Sequence, residues 1–310
     1  VTRSVSKRAP LLLRRGDLIA VVAPGAAVDE DRLAAGVGFL ERSGFRVRLG
    51  SAVRRRQGYL AGSDRERADD LHAAFADPEV RAILTARGGY GCGRLYSLLD
   101  RPLIRAHPKI FVGHSDISFL LNHFSQELDL ITFHGPMVLN LPEQLIGREA
   151  LLAMLSRERM GWQMNAREII QPGTAEGRLA GGCLSIVCAA LATPWSVDTR
   201  GTLLFLEEVN EKPFRVDRML TQLWQAGAFD EVAGVVFGEM AGCTAGENER
   251  TTVRDVIAES FAHVNFPVVF GVPSGHGSGE CTLPLGVHAR LAGERLTLLE
   301  SPVVGREGVR

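Results

Sequence analysis

The sequence predicts an α/β protein, with a mostly parallel N-terminal sheet that has helices on both faces and a mixed α+β second domain after it. Strand-like and helix-like segments alternate through residues 17–135, the pattern of a parallel sheet with crossover helices. Between about residues 141 and 172 the pattern weakens, as at a domain junction. Beyond it strands and helices mix less regularly, and two strand-like runs near the end read as a hairpin.

In chain order, "DLIAVVAPG" (17–25) is a buried strand ending in a turn. Leu33, Val37 and Leu40 repeat at helical spacing, and Gly44 closes that helix. "FRVRLG" is a second strand. Ser63 and Glu66 form a capping-box pattern ahead of a helix carrying Ala68, Leu71 and Phe75, which Asp77-Pro78 ends. "RAILTA" is a third strand, with the glycine-rich turn "RGGYGCGR" after it. "KIFVG" is the fourth, followed by a helix over about 117–127, and "LITFHG" is the fifth. A helix is expected around 143–155. In the second half "EGRLAGG" reads as a short strand and turn, "LSIVCAALA" as a helix and "TLLFLEE" as a strand. Val216, Met219, Leu220 and Leu223 mark a helix, "VAGVVFG" is a strand, and "VHARL" and "RLTLLE" flank the hairpin turn Ala-Gly-Glu.

Composition excludes several classes. The 310 residues are 45% hydrophobic, enough for a substantial core, and carry a net charge of −1. A nucleic-acid binder should show a basic face, so none is expected as a partner. The basic clusters "RSVSKRAPLLLRR" and "VRRRQ" read as a solvated tail and a solvated loop. Five cysteines, an odd number with no CxxC pair, argue against a disulfide framework and for a reducing compartment. No apolar run is long enough to cross a bilayer, and "LLL" before Arg14-Arg15 is too short for a signal-peptide core. The expectation is a soluble cytoplasmic protein with no membrane partner. Without HExxH or a paired His/Cys cluster, no metal is expected.

In "KIFVGHSDISFLL" an apolar strand meets Gly-His-Ser-Asp and then a helical pattern. That is the geometry of a nucleophile elbow, which lifts Ser115 clear of the sheet and sets it before helix-N-terminal amides. Gly113 fits the G-x-S-x-G form, whereas Ile117 stands at the second glycine position. On this stretch alone Ser115 reads more simply as a helix cap. A serine nucleophile needs a base, usually a histidine oriented by a carboxylate. His276 sits between glycines in "PSGHGSGECTLPLG", where packing gives it little reason to be. His134 ends a strand and could line the same cleft, His114 reads as structural, and His72 and His123 lie on predicted helices. For the carboxylate, an apolar strand ends in Glu207 and Glu208; neighbouring strand residues face opposite ways, so one can enter a cleft while the other meets solvent. The glycines of "ARGGYGCGR" miss phosphate-loop spacing, and close backbone approach to a substrate explains them better. An amide there, facing the one after Ser115, would complete an oxyanion hole.

Together "IAVVAPG", "YLAGSDRERADDLHAAF", "RGGYGCGRL", "GHSDIS", "GPM", "EGRLAGGCLS", "LATPW", "LFLEEVNEKPFRVDRMLTQL" and "PSGHGSGECTLPLG" resemble the LD-carboxypeptidase family, the murein tetrapeptide carboxypeptidases, over nearly the whole chain and in order. The resemblance implies a doubly wound N-terminal domain with the elbow, a smaller β-rich α+β C-terminal domain, and an active site between them. On it, residues 1–145 form the first domain, 146–164 a junction and 165–310 the second. It implies a Ser115–Glu207–His276 triad, oxyanion amides from Asp116 and Gly89, and a small peptide, a murein tetrapeptide or muropeptide, as substrate. It further implies no cofactor, and a homodimer as in many relatives. Arg87 and Arg94 are candidates for the substrate's free carboxylate. Cys183 stands where the family commonly has asparagine, which puts the lining of the cleft in doubt. Two other readings are a related peptidase acting on a peptide-nucleotide antibiotic and a non-catalytic muropeptide-binding module.

Overall fold

The order of the strands decides which residues can meet. The computed structural model describes residues 7–246, 250–277 and 279–305; residues 3–6 of the basic start and Ser278 of the His276 loop lie outside them. The first half runs β1 (Leu18–Val22), α1 (Glu30–Arg42), β2 (Arg46–Leu49), α2 (Asp64–Ala76), β3 (Val80–Thr85), α3 (Arg101–Ala106), β4 (Ile110–Gly113), α4 (Ser118–Gln126), β5 (Thr132–His134) and α5 (Leu145–Ser156). Then come β6 (Gln163–Asn165), β7 (Glu168–Gln171), β8 (Thr174–Cys183), α6 (Leu184–Ala190), β9 (Thr202–Val209), α7 (Pro213–Gln225), β10 (Gly234–Ala241), α8 (Val253–Ser260), β11 (Val268–Phe270), β12 (Leu283–Leu285), β13 (His288–Ala292) and β14 (Arg295–Leu298).

Strands β1 to β5 form a parallel sheet in the order β5-β4-β3-β1-β2. The near-continuous apolar runs of β1, β3 and β4 are buried, as a sheet covered by helices requires. The Ser63–Glu66 capping box forms, with Glu66 N–H donating to Ser63 Oγ at 3.2 Å and Ser63 N–H to Glu66 Oε2 at 2.9 Å. The final hairpin is also present, β13 against β14 with Ala292 opposite Arg295.

The second sheet has eight strands in the order β6-β14-β13-β8-β9-β10-β11-β7. Strands β8 to β11 are parallel, and antiparallel strands flank them on both sides. The segment expected as a short strand and turn is β8, ten residues long and central to this sheet. Its glycines hid it, because a strand with few side chains to pack gives little hydrophobic alternation. The helix expected near 143 begins at Leu145.

Two features lock the halves together. Strand β12, from late in the chain, adds antiparallel to β5 at the edge of the first sheet. Asn122 of α4 reaches β8: its Nδ2 donates to Ser118 O and Gly181 O, and its Oδ1 accepts from Gly181 N–H, each at 2.8 Å. A buried amide bonded three ways fixes the end of β8 against the helix that follows the Ser115 turn. Asn122→Ala should therefore lower unfolding free energy by about 2–3 kcal/mol, since it leaves buried backbone groups of Gly181 unpaired. Urea denaturation checks this; an unchanged midpoint would show that the clamp adds nothing.

Candidate active site

Ser115 opens a short 3₁₀ turn between β4 and α4 and holds φ at +62°, a region a side-chain-bearing residue rarely occupies. Ile117 is fully buried, packed beside Gly113, so an apolar contact stands where the elbow motif usually carries its second glycine. The glycine-rich turn after β3 lies directly against the serine: a Cβ on Gly88 would come within 2.8 Å of Ser115 Cβ and 3.1 Å of its Oγ. Only glycine permits that approach. Asp116 turns its carboxylate inward, where Oδ2 accepts from Cys92 N–H at 2.8 Å and ties the elbow to the same turn. Among the described residues, the backbone bonds of these turns give the N–H groups of Gly89 and Asp116 no carbonyl acceptor.

Glu207 projects from β9, where it pairs in register with Cys183 at the end of β8. It is wholly buried. Its Oε2 lies 2.6 Å from His276 Nδ1, a short charge-assisted bond. Its Oε1 lies 3.5 Å from His134 Nε2. Burial alone would raise the Glu207 pKa, but the two histidines outweigh it and hold it at about 2. For His276, burial works against protonation. The bond to Glu207 and the charges of Glu207, Glu208 and Glu239 outweigh burial and leave its pKa above the ordinary value.

The His276 loop is held from both halves. Glu239 of β10 accepts from Gly277 N–H at 3.1 Å and Gly279 N–H at 3.2 Å, while Gln144 Nε2 donates to Gly277 O at 3.0 Å. A Cβ on Gly275 would stand 2.8 Å from Glu207 Oε2, and one on Gly277 2.8 Å from Glu239 Oε1. The glycines beside His276 thus make room for two carboxylates. His114, next to Ser115 in the chain, stands edge-on to the His276 ring with centroids 4.7 Å apart, which puts His276 beside the elbow. Serine elbow, amide turn, histidine and buried carboxylate are the components of acyl transfer by a serine nucleophile.

The profile of the LD-carboxypeptidase N-terminal domain matches residues 19–135, and that of its C-terminal domain matches residues 176–291. The chain is 37% identical over 302 residues to the probable murein peptide carboxypeptidase of Bacillus subtilis, across 95% of each chain. It belongs to the LD-carboxypeptidase family. It is therefore a serine-type carboxypeptidase. The crystal structure of muramoyltetrapeptide carboxypeptidase from Oxalobacter formigenes superposes with a TM-score of 0.83 at 28% identity, covering 92% of this chain and 100% of that one. The microcin C7 self-immunity protein MccF of Escherichia coli is 28% identical over 300 residues, 86% of each chain.

Several sequence expectations about this candidate site need correction or completion. Glu208 does not meet solvent. It faces away from Glu207, as strand geometry requires, but α6 covers that side, and its carboxylate accepts from Ser185 N–H and Val209 N–H at 2.8 Å each. Arg94 is taken by Asp64, with Nε and Nη2 on the two carboxylate oxygens at 2.8 to 3.0 Å, and Arg87 Nη1 donates to Ala27 O at 3.2 Å. Cys183 is buried against Glu208 and Ser185 Oγ; burial first, then the charges of Glu207 and Glu208, keep its thiol protonated. Glu239 was missed, although "VVFGEM" carries the same signal as "LFLEE", an acid at the end of an apolar strand.

His114 is buried and donates from Nδ1 to Gly135 O at 3.0 Å; burial, with His276 and His134 close by, pushes its pKa down to about 3. His123, buried and accepting from Arg101 Nε at 3.1 Å, is pushed down to about 4 by burial and then by Arg101. In the unfolded chain both take up a proton near pH 6.5. Their contribution is thus fully present above pH 6.5 and is lost as pH falls toward 4 and 3. The urea midpoint should drop between pH 6.5 and 4.5, with His114 alone accounting for about 1.4 kcal/mol per pH unit. A flat midpoint over that window would mean these histidines titrate freely in the folded protein.

Proposed function

We propose that the protein is a cytoplasmic serine carboxypeptidase of peptidoglycan recycling, which removes the terminal D-alanine of murein tetrapeptides by cutting the L,D-peptide bond through an acyl-enzyme. The observation that carries this reading is the 2.6 Å bond between a wholly buried carboxylate and His276, beside a serine held at φ +62°. The Bacillus murein peptide carboxypeptidase and the Oxalobacter muramoyltetrapeptide carboxypeptidase supply the substrate class.

Ser115 Oγ attacks the carbonyl that precedes D-alanine, and His276 Nε2 takes its proton. The oxyanion rests on the N–H groups of Asp116 and Gly89. His276 then passes the proton to the departing amine, leaving the tripeptide esterified to Ser115. Water, deprotonated by the same ring, releases it. Glu207 keeps the His276 proton on Nδ1 and stabilises the imidazolium. The 3₁₀ turn that carries Asp116 and the RGG turn are packed against each other, so the donors need not move to meet the developing charge.

Mass spectrometry of free murein tetrapeptide incubated with the protein should show loss of one D-alanine with wild type and none with Ser115→Ala. Cleavage by both would make Ser115 structural. Cleavage by neither would favour a peptide-nucleotide substrate or a binding role. The neutral ring is the base, so kcat/KM should rise with pH through a value above 6.5, because His276's pKa is raised. Glu207→Gln removes the main opposing charge; the inflection should move to lower pH and the plateau should fall about 10⁴-fold. An inflection that stays in place would dissociate Glu207 from the base.

A further inference from the structure

We propose that His134 is a positioning residue: it donates from Nε2 to Glu207 Oε1 and so keeps Oε2 aimed at His276 Nδ1. The inference rests on the catalytic reading above. Glu207 is wholly buried, and an ionised carboxylate in that setting must have donors or give up its charge. Its Oε2 has His276. Its Oε1 is buried with no hydrogen bond among the described residues, and His134 Nε2 lies 3.5 Å from it. Both His134 ring nitrogens are likewise buried and make no closer hydrogen bond. At 3.5 Å the contact is long, as catalytic hydrogen bonds often are before substrate tightens them.

The fold gives His134 a fixed seat. It ends β5, between Gly113 of β4 and Leu283 of β12 in register, so the strand carrying the elbow sets its position. Its ring stands edge-on to Phe205 at 5.1 Å and lies 5.9 Å from His114. The titratable groups that act on Glu207 or on His276 include His134, His276, His114, the Cys183 and Cys243 thiols, Glu208 and Glu239. His114 cannot replace His134, because its Nδ1 proton is committed to Gly135 O and its Nε2 then offers a lone pair. Cys183 hydrogen-bonds on the other side, toward Glu208. Without the His134 proton, Oε1 is an unpaired buried charge, and Glu207 protonates or turns from His276. The base then loses both its orientation and its raised affinity for a proton.

The test uses two amide variants of nearly equal polarity. In Gln the amide nitrogen reaches the position of His Nε2, whereas in Asn it reaches only that of Nδ1. Imidazole ¹⁵N NMR of the substrate-free protein reads the His276 titration directly, and murein tetrapeptide hydrolysis reads the rate. His134→Gln should keep the His276 pKa above 6.5 and most of kcat/KM. His134→Asn should bring that pKa down to or below 6.5 and cost about tenfold or more in kcat/KM. Both variants titrating and turning over like wild type would overturn the proposal. So would equal rate losses with the His276 titration unchanged, which marks a packing role. Should neither variant fold, wild type decides: a His134 proton on Nε2 supports the inference, and a neutral ring protonated only on Nδ1 overturns it. If wild type itself leaves tetrapeptide intact, the substrate reading fails while the NMR result still judges the Glu207–His134 contact.

Discussion

A carboxylate without access to water governs this site. Glu207 lies at the heart of the second sheet, and burial of a lone charge there would cost several kcal/mol. Two histidines offset that cost, one from a loop late in the chain and one from a strand of the first sheet. The charge can be tolerated only while both halves are folded and joined. The carboxylate is thereby placed where solvent cannot screen it, and the same low dielectric strengthens its hold on His276.

The joint between the sheets does the placing. The elbow belongs to β4, Glu207 to β9 and His276 to a loop between β11 and β12. Strand β12 returns to the first sheet and pairs with β5, which sets the His276 loop over the elbow. The three-way Asn122 clamp holds the end of β8 beside α4, and the register of β8 with β9 then fixes Glu207. From the other side, Glu239 and Gln144 bind the loop's own backbone. Cys183 fits this frame as a small buried group that leaves the bonds of Glu207 untouched and closes the space next to Glu208.

Local features were legible from the sequence. The elbow depends on neighbours in the chain, the capping box on residues three apart, and the parallel sheet on a repeat of short apolar runs. Strand β8 was underestimated because its glycines suppress the pattern that marks a strand. The fate of Glu208 was missed because alternation tells which way a side chain points, and says nothing of what covers that face. Glu239 was missed because the need to bind loop amides arises only once the loop folds back on β10.

The sequence by itself determined the fold class and singled out Ser115 and the loop histidine, because short-range sterics and periodicity write those features into consecutive residues. Its familiar motifs, read together, named the family. Only the tertiary structure decided that Glu207 lies between two imidazoles while Glu208 caps a helix. It also decided that His134 faces the carboxylate and that the glycines flanking His276 clear space for acids from two strands. Those relations join residues tens of positions apart, and they exist only in the order and register of the strands that bring them together.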